Sequence, residues 1–497
     1  MDMSRTAIER IKNIVIVVLM LSAILLLYFL WDNNGYSRFH LPPLDVGVNR
    51  SIQIQDVLIP EKIIINFGSE NYTVVLSAES IWNSQIDRGV KNFIEAMKDM
   101  VENETISQSI ISESDYDEVV KNRSIQAEFT YAIPLKDFGA EFGVKQIERI
   151  DIIDTFTTMA YSEASPESFF IGNKFDNKYY RLTVQKEITD FISLLSSIEN
   201  RQNTSFYPLR TFAGVDNDTM LPLDLTIDMP NVQYIKPVAR DSMEDSSELN
   251  DMAKIYFGES FDFTRKVTEA DGTIVYVYSY GEKVLVIKTN GVFEYSSTSD
   301  ASRNTSFFEA LAAALDFITE HSEPGIIIGS DSNIYLKNAV KSSEGSGYRF
   351  TFGLKSEGYQ VFYEESEPII IEIADQKVVY SRFDVIMFEA VDLTQVRTEA
   401  SPPFDILVEH YQYLYDILKN TDMFHENFDV ADKSTSETPD VFNTVMENVS
   451  DVSTGYLRKT SGDALGELVP VWRIRVLNAE FYFNLTTAEP EGYKYLT

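Results

Sequence analysis

PIIIEIADQKVVYSR (residues 368–382) and VPVWRIRV (residues 469–476) are the stretches whose reading decides the fold class. Each carries a proline at its start and runs on through β-branched apolar residues, the grammar of a β-strand. Two-residue turns at Asp375-Gln376 and Asn478-Ala479 follow, so each strand is predicted to return as a tight hairpin. The expected strands are Ile369–Ala374 with Lys377–Ser381, and Val469–Leu477 with Glu480–Thr486. Read backwards from each proline, the same order occurs twice. Helix Ser306–His321 precedes Gly347-Tyr348 and the Pro368 strand, and helix Phe404–Thr421 precedes Gly455-Tyr456 and the Pro470 strand. Two related α+β domains in tandem explain this order. So does the ordinary succession of elements in any α+β domain.

Further upstream, Phe263–Thr268, Thr273–Tyr280, Lys283–Lys288 and Val292–Ser296 are joined by ADG, YGE and TNG. These are compact turn chemistries, and they predict a β-meander. A short helix, Ser247–Gly258, leads into it. Nearer the N-terminus, Ile63–Phe67 and Tyr72–Leu76 flank GSEN and read as a hairpin, followed by an amphipathic helix over Ile81–Glu102. A strand alternates through Ile125, Ala127 and Phe129 and stops at Pro134. Ile147–Phe156 and Tyr179–Val184 are expected as strands and Thr189–Glu199 as a helix. Residues 200–247 read as irregular and hold a domain boundary.

Ile14–Trp31 (IVIVVLMLSAILLLYFLW) is uncharged over 18 residues. A helix of that length spans about 27 Å, close to the hydrocarbon thickness of a bilayer. Arg5, Arg10 and Lys12 precede it, and Tyr28, Phe29 and Trp31 sit at its far edge, so the N-terminus is expected inside and the rest outside. The run is longer than a signal-peptide core, and DNNGYSRFH after it lacks a small-x-small cleavage site. An uncleaved anchor is therefore expected. The rest of the chain is long enough for about three domains at about 150 residues each.

The net charge is −35, which argues against nucleic acid as a partner, because phosphate contacts need basic patches. There is no cysteine, so disulfides, thiolate metal sites and cysteine nucleophiles are excluded. An exported chain of this size without cysteine points to a bacterium. No phosphate-binding, dinucleotide or metal-helix motif is present. His40, His321, His410 and His425 are scattered and read as ordinary surface histidines, and Ser330 lacks the second glycine of a nucleophile elbow. Asp216, Asp218, Asp224 and Asp228 form a dense acidic loop without calcium-hand spacing. The expectation is no catalytic, cofactor or metal site. Tyr276, Tyr278 and Tyr280 stand at alternate strand positions. They line either a packed face under a helix or a partner-binding face.

The anchor is followed in order by IQIQDVLIPEKIII, IWNSQIDRGVKNFIEAM, AEFTYAIPLKDF, MAKIYFGESFDFTRKVTEADGTIVYVY, KVLVIKTNGVFEYSS, GYRFTFGLKSEGYQVF, PIIIEIADQKVVYSR and VPVWRIRV. This succession, covering most of residues 8–485, resembles the YycH family of low-GC Gram-positive bacteria. Residues 200–247 and 386–450 depart from that pattern by being longer and irregular. The resemblance implies a non-enzymatic, single-pass protein of the cell membrane. Its partners would be a YycI-like anchored protein and a YycG (WalK) sensor histidine kinase controlling cell-wall genes. It implies an α+β fold in which a single N-terminal transmembrane helix is followed by three extracytoplasmic α+β domains. The last two would be related to each other and to YycI, each an antiparallel sheet plus helix. The corresponding segments are 1–13 (cytoplasmic), 14–31 (transmembrane), 32–50 (linker), 51–235, 245–385 and 400–490. Ser22 and Ala23 are the small residues of the anchor and its expected close-packing point against the kinase helices. The competing readings are an anchored ligand- or wall-binding protein and an anchored hydrolase.

Overall fold

The computed structural model describes residues 52–76, 93–102, 105–188, 190–200, 204–223, 226–227, 229–235, 246–298, 305–321, 334–342, 347–384, 387–392, 398–419, 440–459 and 465–496. The expected span 14–31, with Ser22 and Ala23, and its flanks 1–13 and 32–50 lie outside them. Among the described residues no helix is long and apolar enough to cross a membrane.

Both hairpins, after Pro368 and after Pro470, are present. Ile369–Ala374 pairs antiparallel with Lys377–Asp384, and Asp375 and Gln376 both take positive φ, as a tight hairpin with strand-matched twist requires. In the second hairpin Val476 faces Ala479, so the turn is Leu477-Asn478, one residue earlier than the sequence suggested. Ile369, Ile371 and Ile373 are at most 2% exposed, which puts one face of their strand in the core. Helix Phe307–His321 contributes Phe307, Leu311, Leu315 and Ile318 to the same core. Helix Pro403–Leu418 does the equivalent for the second hairpin. It begins at a proline, whose missing N–H is no loss there. Its Ile406, Leu407, Leu414 and Leu418 share a core with Trp472, Ile474, Phe481 and Phe483.

Both hairpins belong to one sheet of 13 strands. Its order is Arg265–Thr268, Ile274–Tyr278, Lys283–Ile287, Val292–Ser297, Lys377–Asp384, Ile369–Ala374, Gly347–Ser356, Tyr359–Tyr363, Val449–Arg458, Val469–Val476, Ala479–Asn484 and Pro490–Tyr495, with Ile334–Lys341 also paired to Gly347–Ser356. The expected meander forms its first four strands. The two halves join where Tyr359–Tyr363 runs parallel to Val449–Arg458. The Gly-Tyr markers do not take equivalent places in the two halves. Gly347 faces Ala374 at the far end of its partner strand, whereas Gly455 faces Val471 near the start of its own. They share a different property: a Cβ on either would be driven into a neighbouring backbone carbonyl, of Ile373 and Gln360 respectively.

A second sheet of nine antiparallel strands holds the N-terminal part. Its order is Ser107–Ile111, Lys178–Thr183, Ser168–Asn173, Thr155–Ser162, Ser124–Pro134, Lys62–Asn66, Tyr72–Leu76, Phe206–Pro208 and Met220–Pro222. The expected strand Ile147–Phe156 is a correction. Ile147–Arg149 is a short 3₁₀ turn, and the strand is Thr155–Ser162. The physical reason is spacing: Ile147, Ile150, Ile153 and Phe156 are all buried, a period of three that a strand cannot satisfy. The expected helix Ile81–Glu102 is helical over 93–102, its first part lying outside the described residues.

Residues 200–247, expected as irregular, carry short regular elements. Within them lie Phe206–Pro208, helix Leu209–Ala213, Met220–Pro222, Thr226–Ile227 and Asn231–Ile235. Asn231–Ile235 pairs with both Met387–Asp392 and Leu465–Glu467. Leu209, Val215 and Leu221 join the core of helix Pro403–Leu418. The buried Asn217 amide donates to the carbonyls of Met446 and Val449, each at 2.7 Å. Strands of two to five residues carry too little alternation to be read from sequence. The described residues belong to one compact unit.

Candidate functional site

The place where these parts meet is charged. Strand Val469–Val476 alternates: Trp472, Ile474 and Val476 join the core of helix Pro403–Leu418, so Val471, Arg473 and Arg475 point the other way. Such a face ordinarily meets water, yet Arg473 is 1% exposed and Glu480 on the next strand is fully buried. The other face meets the beginning of strand Lys62–Asn66 of the N-terminal sheet. The Arg473 guanidinium donates to Glu61 Oε1 at 2.9 Å and to Asp451 Oδ2 at 2.7 Å, and lies 3.5 Å from Glu480 Oε1. Its flat side covers the Phe362 ring at 4.8 Å. Arg475 holds Glu480 from the second side at 2.8 Å, and the Tyr482 hydroxyl donates to the remaining Glu480 oxygen at 2.9 Å.

Lys62 continues the network into the N-terminal sheet. Its ammonium lies 3.3 Å from Asp451 and 3.5 Å from Glu128, its direct cross-strand neighbour. Glu128 also accepts from Lys174 at 2.7 Å and from the Gln126 amide at 2.6 Å. Nearby, Glu367 Oε1 accepts from Lys337 and Lys494, both at 2.8 Å, and the Thr130 hydroxyl donates to the Lys337 carbonyl at 2.5 Å. Arg458 and Asp384 form another buried pair at 2.5 Å, the guanidinium lying over the rings of Tyr234 and Tyr363. The junction thus ties strands Lys62–Asn66, Ser124–Pro134, Ile334–Lys341, Val449–Arg458, Val469–Val476, Ala479–Asn484 and Pro490–Tyr495.

Burial disfavours each of these charges, and the opposite charges outweigh it. Glu128 is pulled down to about 2 by Lys174 and Lys62 against the effect of burial. Asp451 and Glu480 are likewise held below the usual carboxylate range despite burial, the first by Lys62 and Arg473, the second by Lys337, Arg473 and Arg475. Burial would lower Lys62, but Glu128, Asp451 and Glu61 raise it above the ordinary lysine range. A general acid or base needs a pKa near the working pH. These shifts run the opposite way, so the chemistry of the junction is that of fixed charges holding surfaces together.

The residues singled out from sequence are not gathered here. Tyr276 is packed, 1% exposed, with its hydroxyl donating to Asn250 Oδ1 at 2.7 Å and its ring against Phe257 and Phe261. Tyr278 is half-buried. Tyr280 lies past the end of the strand, at φ 57° and fully exposed. The three therefore do not line one face. Ser22 and Ala23 lie outside the described residues. His321 is not a surface histidine: it stacks on Phe317 at 3.7 Å, and burial lowers it to about 4. Asp218 is engaged by Arg210 and Lys121, and Asp224 and Asp228 are outside the residues whose side chains are described. Among the described residues no group of three or more His, Asp or Glu side chains is arranged to hold a metal. Sequence reasoning missed Glu61, Lys62, Glu128, Asp451, Arg473 and Glu480. The available signal was the Arg-x-Arg of VPVWRIRV and the Glu of AEFYF, charges set inside otherwise apolar strands.

No protein-family model matches this chain, and no curated protein matches its sequence. Solved structures do. YycH from Bacillus subtilis superposes with a TM-score of 0.50 at 11% identity, over 86% of this chain and 95% of that one. An uncharacterized protein from Eubacterium rectale ATCC 33656 gives 0.31 at 13% identity over 56% of this chain and 86% of its own. The C-terminal domain of Bacillus megaterium YpeB gives 0.25 at 13% identity over 50% and 97%. The first likeness is one of fold: this chain is an α+β protein with a YycH-like fold.

Proposed function

We propose that this chain is a non-enzymatic accessory regulator of a membrane sensor histidine kinase that governs cell-wall homeostasis. It would sit in the cell membrane as a single-pass protein, anchored by residues 14–31, with its N-terminus cytoplasmic and the body, read as domains 51–235, 245–385 and 400–490, outside. Its partners would be a YycG (WalK)-type kinase and a YycI-like anchored protein, met by the anchor helix and by the outer body. The observation that carries this reading is the YycH-like fold, which extends over 86% of the chain. The junction is consistent with it, since its charges fasten strands rather than present a reactive group.

The test is capture of the tagged full-length chain from its native membrane. The kinase and the YycI-like protein are expected to come with it, and Leu at both Ser22 and Ala23 is expected to weaken that capture. A body that retains neither protein, with kinase output unchanged when the gene is deleted, would overturn the reading.

A further inference from the structure

The first described residues of the chain touch three separate parts of the fold. Helix Ile54–Val57 packs against strand Ile334–Lys341 and helix Phe307–His321, and Ile52, Val57 and Leu58 are buried there. The Leu58 amide donates to the Ile54 carbonyl and the Glu61 amide to the Glu128 carbonyl, at 2.9 and 2.8 Å. Immediately after Pro60, Glu61 and Lys62 reach the far end of the chain, at Arg473 and Asp451. Eleven residues thus engage the N-terminal sheet through the backbone, the central helix through apolar packing and the C-terminal strands through charge.

The charged grip has an asymmetry. If Glu61 leaves, Arg473 still holds Asp451 at 2.7 Å and Glu480 at 3.5 Å. If Lys62 shifts away from Asp451, it still has Glu128 at 3.5 Å, and Asp451 still has Arg473. Glu61 has 18% of its side chain exposed and can exchange its partner for water. No fully buried charge is orphaned by the exchange, which removes the large penalty that ordinarily forbids opening a buried ion pair.

The geometry points to residues 52–61 being a releasable stem, clasped through Glu61 by Arg473 against strand Lys62–Asn66, so that a change at the C-terminal strands shifts the stem between held and free. This rests on the regulator reading only for its consequence, because the stem follows directly on the proposed anchor and linker. A two-state element biased from one end by binding at the other is what coupling between sites requires.

The experiment is hydrogen–deuterium exchange on the full chain in nanodiscs, comparing wild type with Glu61→Gln, which keeps size and loses charge, and with Glu61→Asp as the conservative control. Peptides covering 52–61 are expected to exchange at least about tenfold faster in Glu61→Gln. Peptides of the strands Ile369–Ala374 and Ala479–Asn484 should keep the wild-type rate, and Glu61→Asp should lie between. Unchanged exchange at 52–61, or acceleration spread over the whole body, would overturn the clasp. Reporter output of the co-expressed kinase is read in parallel. Faster exchange with altered output and retained capture supports both ideas. Faster exchange while wild-type chain captures no kinase upholds the clasp and sinks the regulator reading.

Discussion

Arg473→Met is the sharpest test of the buried junction, since methionine keeps much of the apolar stem and removes only the charge. Arg473 is 1% exposed and makes ion pairs with Asp451, Glu61 and Glu480. Breaking a buried pair from one side commonly costs about 3–5 kcal/mol, because the partner is left as an uncompensated charge. Here each carboxylate keeps something. Asp451 retains Lys62, Glu480 retains Arg475 and the Tyr482 hydroxyl, and Glu61 is near enough to water to rotate out. The lower end, about 3 kcal/mol, is therefore expected, a large share of the 5–15 kcal/mol that typically holds a folded protein. Urea unfolding of the full chain in detergent, followed by tryptophan fluorescence, reads it as a lowered midpoint at unchanged slope. Trp472 lies next in the chain with its indole N–H donating to the Ser401 carbonyl at 2.9 Å, so the probe reports locally. Adding Glu480→Leu removes the acid of one of the same ion pairs, so the double variant is expected to cost at least about 1 kcal/mol less than the sum of the two single variants. A single variant costing under about 1 kcal/mol, or a double variant costing the sum of the two, would refute the reasoning, because both belong to charges that water can reach.

Two further outcomes follow from neighbouring features. Glu128 is held down at about 2 in the folded chain against a usual 4.5, so its contribution is complete above pH 4.5 and is lost as the pH falls towards 2. Glu128→Gln should flatten the fall of the melting temperature across that window, and an acid limb as steep as in wild type would contradict the assignment. Gly455→Ala drives a Cβ into the Gln360 carbonyl at the parallel joint between the halves of the large sheet, at an expected cost of about 2 kcal/mol or more, whereas Gly68→Ala meets nothing within 4 Å and should cost less, through its φ of 92° alone. Thermal melts that rank the two glycines the other way would argue against close approach at the joint.

The elements that were legible are those whose cause is local. Ile369, Ile371 and Ile373 alternate, Asp375-Gln376 can adopt the turn, and SFFEALAAALDFITEH keeps an apolar stripe, so hairpin and helix could be placed within a few residues. Where the cause was local but the period was misjudged, the placement slipped, as at Ile147, Ile150, Ile153 and Phe156. Strand Ser168–Asn173 was missed for another reason: all six residues are buried, so it offers no polar face from which to count.

The junction fails to show in sequence because its cause is remote. Alternation correctly assigns Arg473, Arg475 and Glu480 to the face away from helix Pro403–Leu418, but it cannot say whether water or another sheet lies there. That is decided by Glu61 and Lys62, which precede Arg473 by roughly 400 residues and obey their own local alternation. Each strand looks like an ordinary amphipathic strand with a charged outer side. What distinguishes it is balance across strands: Lys62 faces Glu128 in direct register, and Arg475 faces Glu480. A single solvent-facing strand gains little from such pairing, since exposed pairs contribute at most about 1 kcal/mol. Opposite charges in direct register on two separate strand pairs, each set among apolar residues, are therefore the sign that two charged faces are meant for each other.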